Sequence, residues 1–157
     1  MHDNLFHLLP GDQFLDLNLY QCGQEQCPPC YSYGPVARNH FLFHYIISGE
    51  GLFHTENSRG EPCTWSLRQG EGFMIFPGVI HTYTADAANP WRYIWVEFDG
   101  LKAASLIQAS GITPEDPLYR SRDSSGRSRM LEELCQIVQA DANASAALMG
   151  HLYLFLD

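Results

Sequence analysis

The sequence has little positive charge, and this limits what the chain can bind by itself. Its 157 residues include 9 Lys and Arg against 18 Asp and Glu, and the formal net charge is −9. Lys102 is the one lysine. A surface for duplex DNA needs clustered basic side chains that neutralise phosphates, and anionic membrane surfaces attract the same groups. We therefore expect that this chain by itself holds neither DNA nor a membrane surface.

Long apolar runs are lacking as well. No stretch approaches the about 20 apolar residues that a membrane-spanning helix needs. The first ten residues, MHDNLFHLLP, have neither the cationic start nor the apolar stretch of a secretory signal. We expect a cytoplasmic protein.

The cysteines do not form the even set that is typical of a disulfide framework. There are 5 of them, and an odd number without a secretory signal favours free thiols in a reducing cytosol. Cys22, Cys27 and Cys30 have the spacing C-x4-C-x2-C, which leaves a zinc site open as an alternative. A structural zinc usually takes four ligands, and no second CxxC follows, so we expect no bound metal and no cofactor.

What the sequence does contain is a series of short β segments separated by Gly and Pro. Residues 13–22 alternate apolar and polar side chains, and residues 40–47 form a continuous aromatic and β-branched run. Gly-Glu-Gly at 49–51 and again at 70–72 marks turns between strands. The predicted strands are 13–22, 40–47, 52–56, 64–67, 72–76, 79–84 and 91–98. Short strands at near-regular spacing predict a sandwich or a barrel.

The pattern becomes helical after residue 100. Residues 101–110 and 129–140 suit helices, with Ser128 as the N-cap of the second, and Asn143 would cap a last helix. Residues 113–126 are predicted to form a loop. The last two helices carry apolar stripes, made of Leu131, Leu134 and Val138 and of Leu148, Leu152 and Phe155. We expect these stripes to pair two copies of the chain, with packing on the chain's own barrel as the alternative.

Two segments resemble known proteins. Residues 70–81, GEGFMIFPGVIH, are similar to the second signature of the cupin superfamily. The wider stretch from Arg38 to Gly100, with its ISGEG turn and its NPWRYIWVEFDG segment, resembles the effector-binding domain of AraC-type transcription regulators. The resemblance implies a mainly β fold, a cupin double-stranded β-helix (jelly-roll barrel) followed by C-terminal α-helices.

The same resemblance divides the chain and implies a missing part. We expect a cupin-like effector-binding barrel over residues 1–110 and a helical dimerisation or linker segment over residues 111–157. Family members carry a C-terminal DNA-binding domain with two helix-turn-helix units. Nothing in this sequence matches that domain, and the apolar stripe that stops at Asp157 is what we expect of a chain that ends before it.

An enzymatic cupin is the main alternative. Catalytic metals in cupins are held by a first signature with two His and a Glu, and those positions fall here on Val36, Arg38 and Leu42. His81 alone remains from the second signature, whereas a catalytic zinc takes three protein ligands. His40 and His44 share a strand face but would lie about 13 Å apart, so we expect packing or hydrogen bonding from them.

A pair of carboxylates near the end of the last strand is a weaker argument for an enzyme. Glu97 and Asp99 lie two residues apart. We expect both at a solvated strand end, with Asp99 as the cap of the following helix.

A sensor of sugars needs flat aromatic side chains for C–H faces and a few polar groups for hydroxyls. Period 2 places Trp91, Tyr93 and Trp95 on one strand face. In the resembled family, the Trp that matches Trp95 stacks on the sugar and the position two before it faces the ligand. Tyr83 matches another sugar-contacting aromatic, and Arg38 a polar contact.

The two histidines near these positions complete the candidate site. Plain core packing is the alternative for Trp95 and Tyr83, and a backbone hydrogen bond is the alternative for His81. The predicted ligand-binding residues are Trp95, Tyr93, Tyr83, His81, Arg38 and His44.

The predicted function follows from the resemblance and these residues. We expect the ligand-sensing and dimerisation domain of an AraC-type regulator, which binds a small carbohydrate effector, forms a homodimer and reaches DNA only through the missing domain. The alternatives are a stand-alone cupin enzyme of the sugar isomerase or epimerase type, and a dimerisation module that binds no ligand.

Overall fold

The computed structural model describes residues 4–9, 14–121 and 123–157. Within these residues the chain forms ten strands and three helices. Nine strands come first, and the tenth lies between the first and the second helix. In chain order, these are β1 (Leu5–Leu8), β2 (Asn18–Gln26), β3 (Ser32–Val36), β4 (Phe41–Ser48), β5 (Glu50–Glu56), β6 (Pro62–Arg68), β7 (Glu71–Ile75), β8 (His81–Ala85), β9 (Arg92–Asp99), α1 (Ala103–Ala109), β10 (Leu118–Arg120), α2 (Ser124–Gln139) and α3 (Ser145–Leu156).

The strands form two antiparallel sheets that face each other. The six-stranded sheet has the order β1-β2-β9-β4-β7-β10, and the four-stranded sheet has the order β3-β8-β5-β6. Strands that follow each other in the chain therefore often lie in different sheets, as β7, β8 and β9 do. This is the arrangement of a double-stranded β-helix, with the helices after the main strands. It confirms the fold class expected from the sequence.

Most predicted strands are present, and the differences have local causes. The first long strand begins at Asn18 instead of residue 13, which lies outside the described residues. The carbonyls of Leu15 and Asp16 accept hydrogen bonds from the backbone of Leu101 and Lys102, so this segment supports the turn before α1 instead of joining a sheet. The sequence did not predict β1, β3 or β10. The last lies inside the segment predicted as a loop, where Leu118 pairs with Phe73 of β7.

The helix starts also differ from those predicted. Helix α2 begins four residues before Ser128, because the Asp123 carboxylate accepts a hydrogen bond from the Gly126 N–H at 2.7 Å and caps it. Ala144 instead of Asn143 stands at the N-cap of α3. Asp99 does not cap α1, whose N-cap is Lys102. The Asp99 side chain instead accepts a hydrogen bond from the Gly100 N–H at 2.8 Å.

The six-stranded sheet has a helix-covered face and a face that meets the other sheet. Along β9, Ile94, Val96 and Phe98 contribute to the apolar cluster under the helices. The stripes of α2 and α3 pack on this cluster, and the ring centroids of Phe155 and Phe43 lie 5.1 Å apart. Leu134, Val138, Leu148 and Leu152 are buried there. The two stripes therefore pack on the chain's own barrel, the second of the two arrangements that the sequence left open.

None of the helices in the described part of the chain is long and apolar enough to cross a membrane.

Candidate functional site

A small cavity lies between the two sheets, on the face of the six-stranded sheet that is turned away from the helices. Its volume is about 150 Å³, below the 300–1,000 Å³ that is usual for drug-sized ligands. The cavity is therefore suited to a small molecule or to one unit of a larger one. Its lining residues are Phe6, Gln21, Glu25, Tyr31, Tyr33, Arg38, Leu42, His44, Tyr83, Tyr93 and Trp95.

Trp95 forms one wall of the cavity, and a glycine on the neighbouring strand makes room for it. Gly23 of β2 pairs with Trp95 of β9. A Cβ atom added at Gly23 would lie 2.6 Å from the indole ring and 2.3 Å from the Leu5 carbonyl oxygen, so the ring lies directly against this backbone. Phe6 of β1 stacks on the same indole, with centroids 6.4 Å apart. Strands β1, β2 and β9 thus contribute Phe6, Gln21, Glu25, Tyr93 and Trp95 to the lining.

His44 lies at the centre of the aromatic wall. Its ring centroid is 4.8 Å from those of Tyr83 and Tyr93 and 6.2 Å from that of Trp95. Burial holds the pKa of His44 well below its usual value, with smaller contributions from His81 and Arg38. The imidazole is therefore neutral near pH 7. It offers one donor and one acceptor, and its buried Nδ1 has no hydrogen-bond partner among the described residues.

The tyrosines of the wall keep their hydroxyl protons. Burial raises the pKa of both Tyr83 and Tyr93. The Tyr93 hydroxyl donates to the Glu25 carboxylate at 3.3 Å, and Tyr33 stacks on Tyr83 with centroids 5.4 Å apart. The cavity therefore combines flat apolar faces with hydroxyl groups that both donate and accept.

Arg38 supplies the positive charge of the cavity and is held on two sides. Its Nη1 donates to the Glu97 carboxylate at 3.2 Å, and its Nη2 donates to the Tyr33 hydroxyl at 3.0 Å. Its buried Nε has no hydrogen-bond partner among the residues that the structure describes. A guanidinium fixed in this way presents a preorganised polar edge, because its rotamers are already restricted before a ligand arrives.

Glu97 corrects the sequence analysis, which placed it at a solvated strand end. It is only 5% exposed. Besides Arg38, Gln21 Nε2 donates to this carboxylate, and His40 Nδ1 lies 3.3 Å from its Oε1. The signal was available, because period 2 places Glu97 on the same face of β9 as Tyr93 and Trp95.

His81 lies behind the cavity wall. It is buried, its ring is parallel to that of Tyr83 with centroids 6.2 Å apart, and its Nδ1 is 3.2 Å from the Val79 carbonyl oxygen. Burial lowers its pKa. The structure therefore brings together five of the six predicted site residues in the cavity lining and leaves His81 outside it.

Several lining residues were not predicted. Glu25, Tyr31 and Tyr33 come from the end of β2 and from the loop and strand that follow it. The sequence gives no local pattern for them, since their place beside Trp95 and Tyr83 depends on the pairing of β2 with β9 and of β3 with β8.

The described residues contain no group of three or more His, Cys, Asp or Glu that could hold a metal ion. Cys22 belongs to the cluster under the helices, Cys27 to the cluster between the sheets, and Cys30 is exposed. His40 contacts Glu97, whereas His44 faces the cavity. Within the described part of the chain, the three cysteines therefore do not come together in one site, and neither do His40 and His44.

Fold and cavity together define a cupin barrel with a small, aromatic and partly polar pocket. Residues 18–156 match the family model described as the AraC-like ligand binding domain, and the chain belongs to this family. It is 32% identical over 116 residues to the Msm operon regulatory protein of Streptococcus mutans, over 74% of this chain and 40% of that protein. It is 35% identical over 102 residues to the raffinose operon transcriptional regulatory protein RafR of Pediococcus pentosaceus, over 64% of this chain and 35% of that protein.

The chain thus spans 40% or less of the length of these two relatives. Among solved structures, the protein YhaK from Escherichia coli is similar, with a TM-score of 0.51 and 17% identity over 64% of this chain and 46% of that one. This likeness concerns the fold alone.

Proposed function

We propose that this chain is the ligand-sensing domain of an AraC-type transcription regulator and that its cavity binds a small carbohydrate effector. The observation that carries the proposal is an aromatic cavity with buried nitrogen atoms, Arg38 Nε and His44 Nδ1, that lack partners among the described residues. Buried polar groups are normally hydrogen-bonded. A ligand with several hydroxyls and an apolar ring face would satisfy these nitrogens and cover the aromatic wall.

Each lining residue has a role in this proposal. Trp95 stacks on the C–H face of the sugar ring, and Tyr93 and Tyr83 exchange hydrogen bonds with its hydroxyls. Arg38 and His44 bind further hydroxyls through the nitrogens named above. His81, outside the lining, contributes through its contact with Tyr83.

The relatives support a regulatory role, which extends beyond this chain. One of them is named for a raffinose operon. We infer that the effector changes the relative populations of two states, which requires different affinities for them, and that a further domain reads the change on DNA in the cytosol. The helical segment would join two copies, since the buried stripes leave Tyr153 and Leu154 of α3 exposed.

The test is a binding measurement with raffinose, sucrose, galactose and glucose on the purified chain. A sugar present at 100 times its dissociation constant stabilises the folded state by about 2.7 kcal/mol, which thermal denaturation detects. Titration calorimetry then gives the dissociation constant. A chain that binds none of these and no other sugar of a wider panel contradicts the proposal.

The stacking role is tested in the same assay by Trp95→Ala. We expect a loss of affinity of at least about fivefold, since a stacked ring contributes on the order of 1 kcal/mol or more. Trp65→Ala is the matched control, because Trp65 is also half-buried but lies on β6 outside the cavity lining. Equal affinities of the two variants would remove Trp95 from the site.

A further inference from the structure

The charges around the cavity are unevenly distributed. Among the described lining residues, Arg38 carries the one positive charge and Glu25 carries a negative charge. Glu97, directly behind the lining, adds a second carboxylate. The surroundings of the cavity thus contain two carboxylates and one guanidinium, with His40 beside Glu97, and neutral His44 does not change this balance.

The guanidinium is already engaged on its terminal nitrogens. One end contacts Glu97 at 3.2 Å and the other contacts the Tyr33 hydroxyl at 3.0 Å. An arginine that recognises a carboxylate or a phosphate ordinarily offers two parallel N–H groups to two oxygens. Here Glu97 takes one terminal nitrogen and the Tyr33 hydroxyl takes the other, and the unpartnered Nε suits a single hydroxyl oxygen.

The ion pair is also shielded from water. The side chain of Arg38 is 23% exposed and that of Glu97 is 7% exposed. Charges in such an environment interact more strongly than they do in water. A negative group placed in the cavity would therefore meet Glu25 and Glu97 with little screening, while the charge of Arg38 is already compensated.

We propose that Glu97 is a specificity-determining residue, which makes the cavity select uncharged sugars and reject their acidic counterparts, uronates and sugar phosphates. The proposal rests on the carbohydrate function proposed above. Glu97 acts through Arg38, which it positions and neutralises. Removal of the Glu97 charge should therefore free Arg38 for an anion, and the selectivity should move toward acidic sugars.

The experiment compares dissociation constants of uncharged and acidic probes for the wild-type chain and for Glu97→Gln. The uncharged probes are raffinose and galactose, and the acidic probes are galacturonate and galactose 6-phosphate. We expect the wild type to bind its better uncharged probe at least about tenfold more tightly than either acid, since a misplaced like charge at a binding surface has a large cost. In Glu97→Gln this ratio should fall at least about tenfold.

Two variants separate the charge of Glu97 from its structural role. Glu61→Gln makes the same charge change at an exposed residue that pairs with Arg59, and should leave the ratio unchanged. The double variant Glu97→Gln with Arg38→Gln should lose the gained affinity for acids, because the freed guanidinium is gone. If Glu97→Gln does not fold, Glu97→Asp retains the charge and should keep the preference for uncharged sugars.

The outcomes distinguish this inference from the function on which it rests. A wild-type chain that binds uncharged and acidic probes equally overturns the selectivity role and leaves the carbohydrate function standing. A Glu97→Gln variant that keeps the wild-type ratio of affinities for uncharged and acidic probes has the same consequence. A wild-type chain that binds acids alone also overturns it. Binding of no sugar at all contradicts the proposed function, and the selectivity role falls with it.

Discussion

The two faces of the six-stranded sheet differ in chemistry although they share every strand. Toward the helices, β9 presents Ile94, Val96 and Phe98, all fully buried. Toward the other sheet, the same strand presents Tyr93, Trp95 and Glu97. One alternating strand therefore contributes at once to an apolar core and to a polar, aromatic cavity.

This difference indicates a division between stability and binding. The helix-facing side is filled mainly by apolar side chains, so its packing contributes mainly to the free energy of unfolding. The cavity-facing side contains buried polar atoms without hydrogen-bond partners among the described residues, and such atoms destabilise a fold unless something satisfies them. We expect substitutions on the two faces to have different kinds of effect.

The largest effect is expected from Phe98→Ala on the helix-facing side. Phe98 is fully buried and stacks on Phe41, with centroids 5.9 Å apart. Loss of its ring should lower the free energy of unfolding by about 3–5 kcal/mol, as measured by urea denaturation. Sugar affinity of the folded fraction should remain that of the wild type.

Trp95→Ala gives the other half of this comparison. The indole is half-buried at the cavity, so its removal leaves less of a sealed void and should cost clearly less stability than Phe98→Ala. If Trp95→Ala proves as destabilising as Phe98→Ala and leaves affinity unchanged, the two faces do not divide stability from binding.

The sequence predicts the strands whose alternation is strong and misses those defined by their partners. Period 2 in β9 places Tyr93 and Trp95 on one face. By contrast, β10 has three residues in a segment rich in Pro, Ser and Arg, and it is a strand because Leu118 pairs with Phe73. The stripes of α2 and α3 are visible in the sequence. The surface that they cover is not, because an apolar stripe fits a barrel or a second copy equally well.

The candidate site, like the fold, is predictable from the sequence only in part. Resemblance and alternation together indicate Trp95, Tyr93 and Tyr83. Glu97 was assigned to solvent because charged residues near a strand end usually are solvated, and its burial depends on Arg38, 59 positions away in the chain. Period 2 places Glu97 on the cavity face, but local periodicity does not indicate the partner that allows its burial.

An intermediate effect is expected from Gly23→Ala, which disturbs the cavity wall from behind. The new Cβ would lie 2.3 Å from the Leu5 carbonyl oxygen and 2.6 Å from the Trp95 ring. Both the Leu5 carbonyl of β1 and the indole must move away, at a cost of about 1–3 kcal/mol that is typical of overpacking. Sugar affinity should fall as well, since Trp95 is displaced.

Gly150→Ala in α3 is the control for Gly23→Ala. Outside its own helix turn, no described residue lies within 4 Å of the added Cβ, and alanine should raise stability by about 0.5–1 kcal/mol through its higher helix propensity. Affinity should not change. A Gly23→Ala variant with the affinity of the wild type would show that the indole's position against this backbone does not matter for binding.

The last effect is expected from pH, and it should also arise on the cavity side. Burial lowers the pKa of His44 and His81 in the folded chain below the unfolded value, so the unfolded chain binds more protons as the pH falls below about 6.5. Stability is therefore full above this pH and declines below it, by about 1.4 kcal/mol between pH 7.5 and 5.5 for His44, whose pKa in the folded chain is held well below the usual value.

The helix-facing side offers no comparable titration through its thiol. Burial raises the pKa of Cys22 to about 12, so this group stays protonated throughout the range.

Urea unfolding of wild type and His44→Gln at pH 7.5, 6.5 and 5.5 tests the assignment of the pH dependence to His44. The variant should lose a smaller part of its stability on acidification, because it lacks one of the two buried imidazoles. Equal slopes for wild type and His44→Gln would mean that the cavity imidazole takes up its proton without unfolding the barrel.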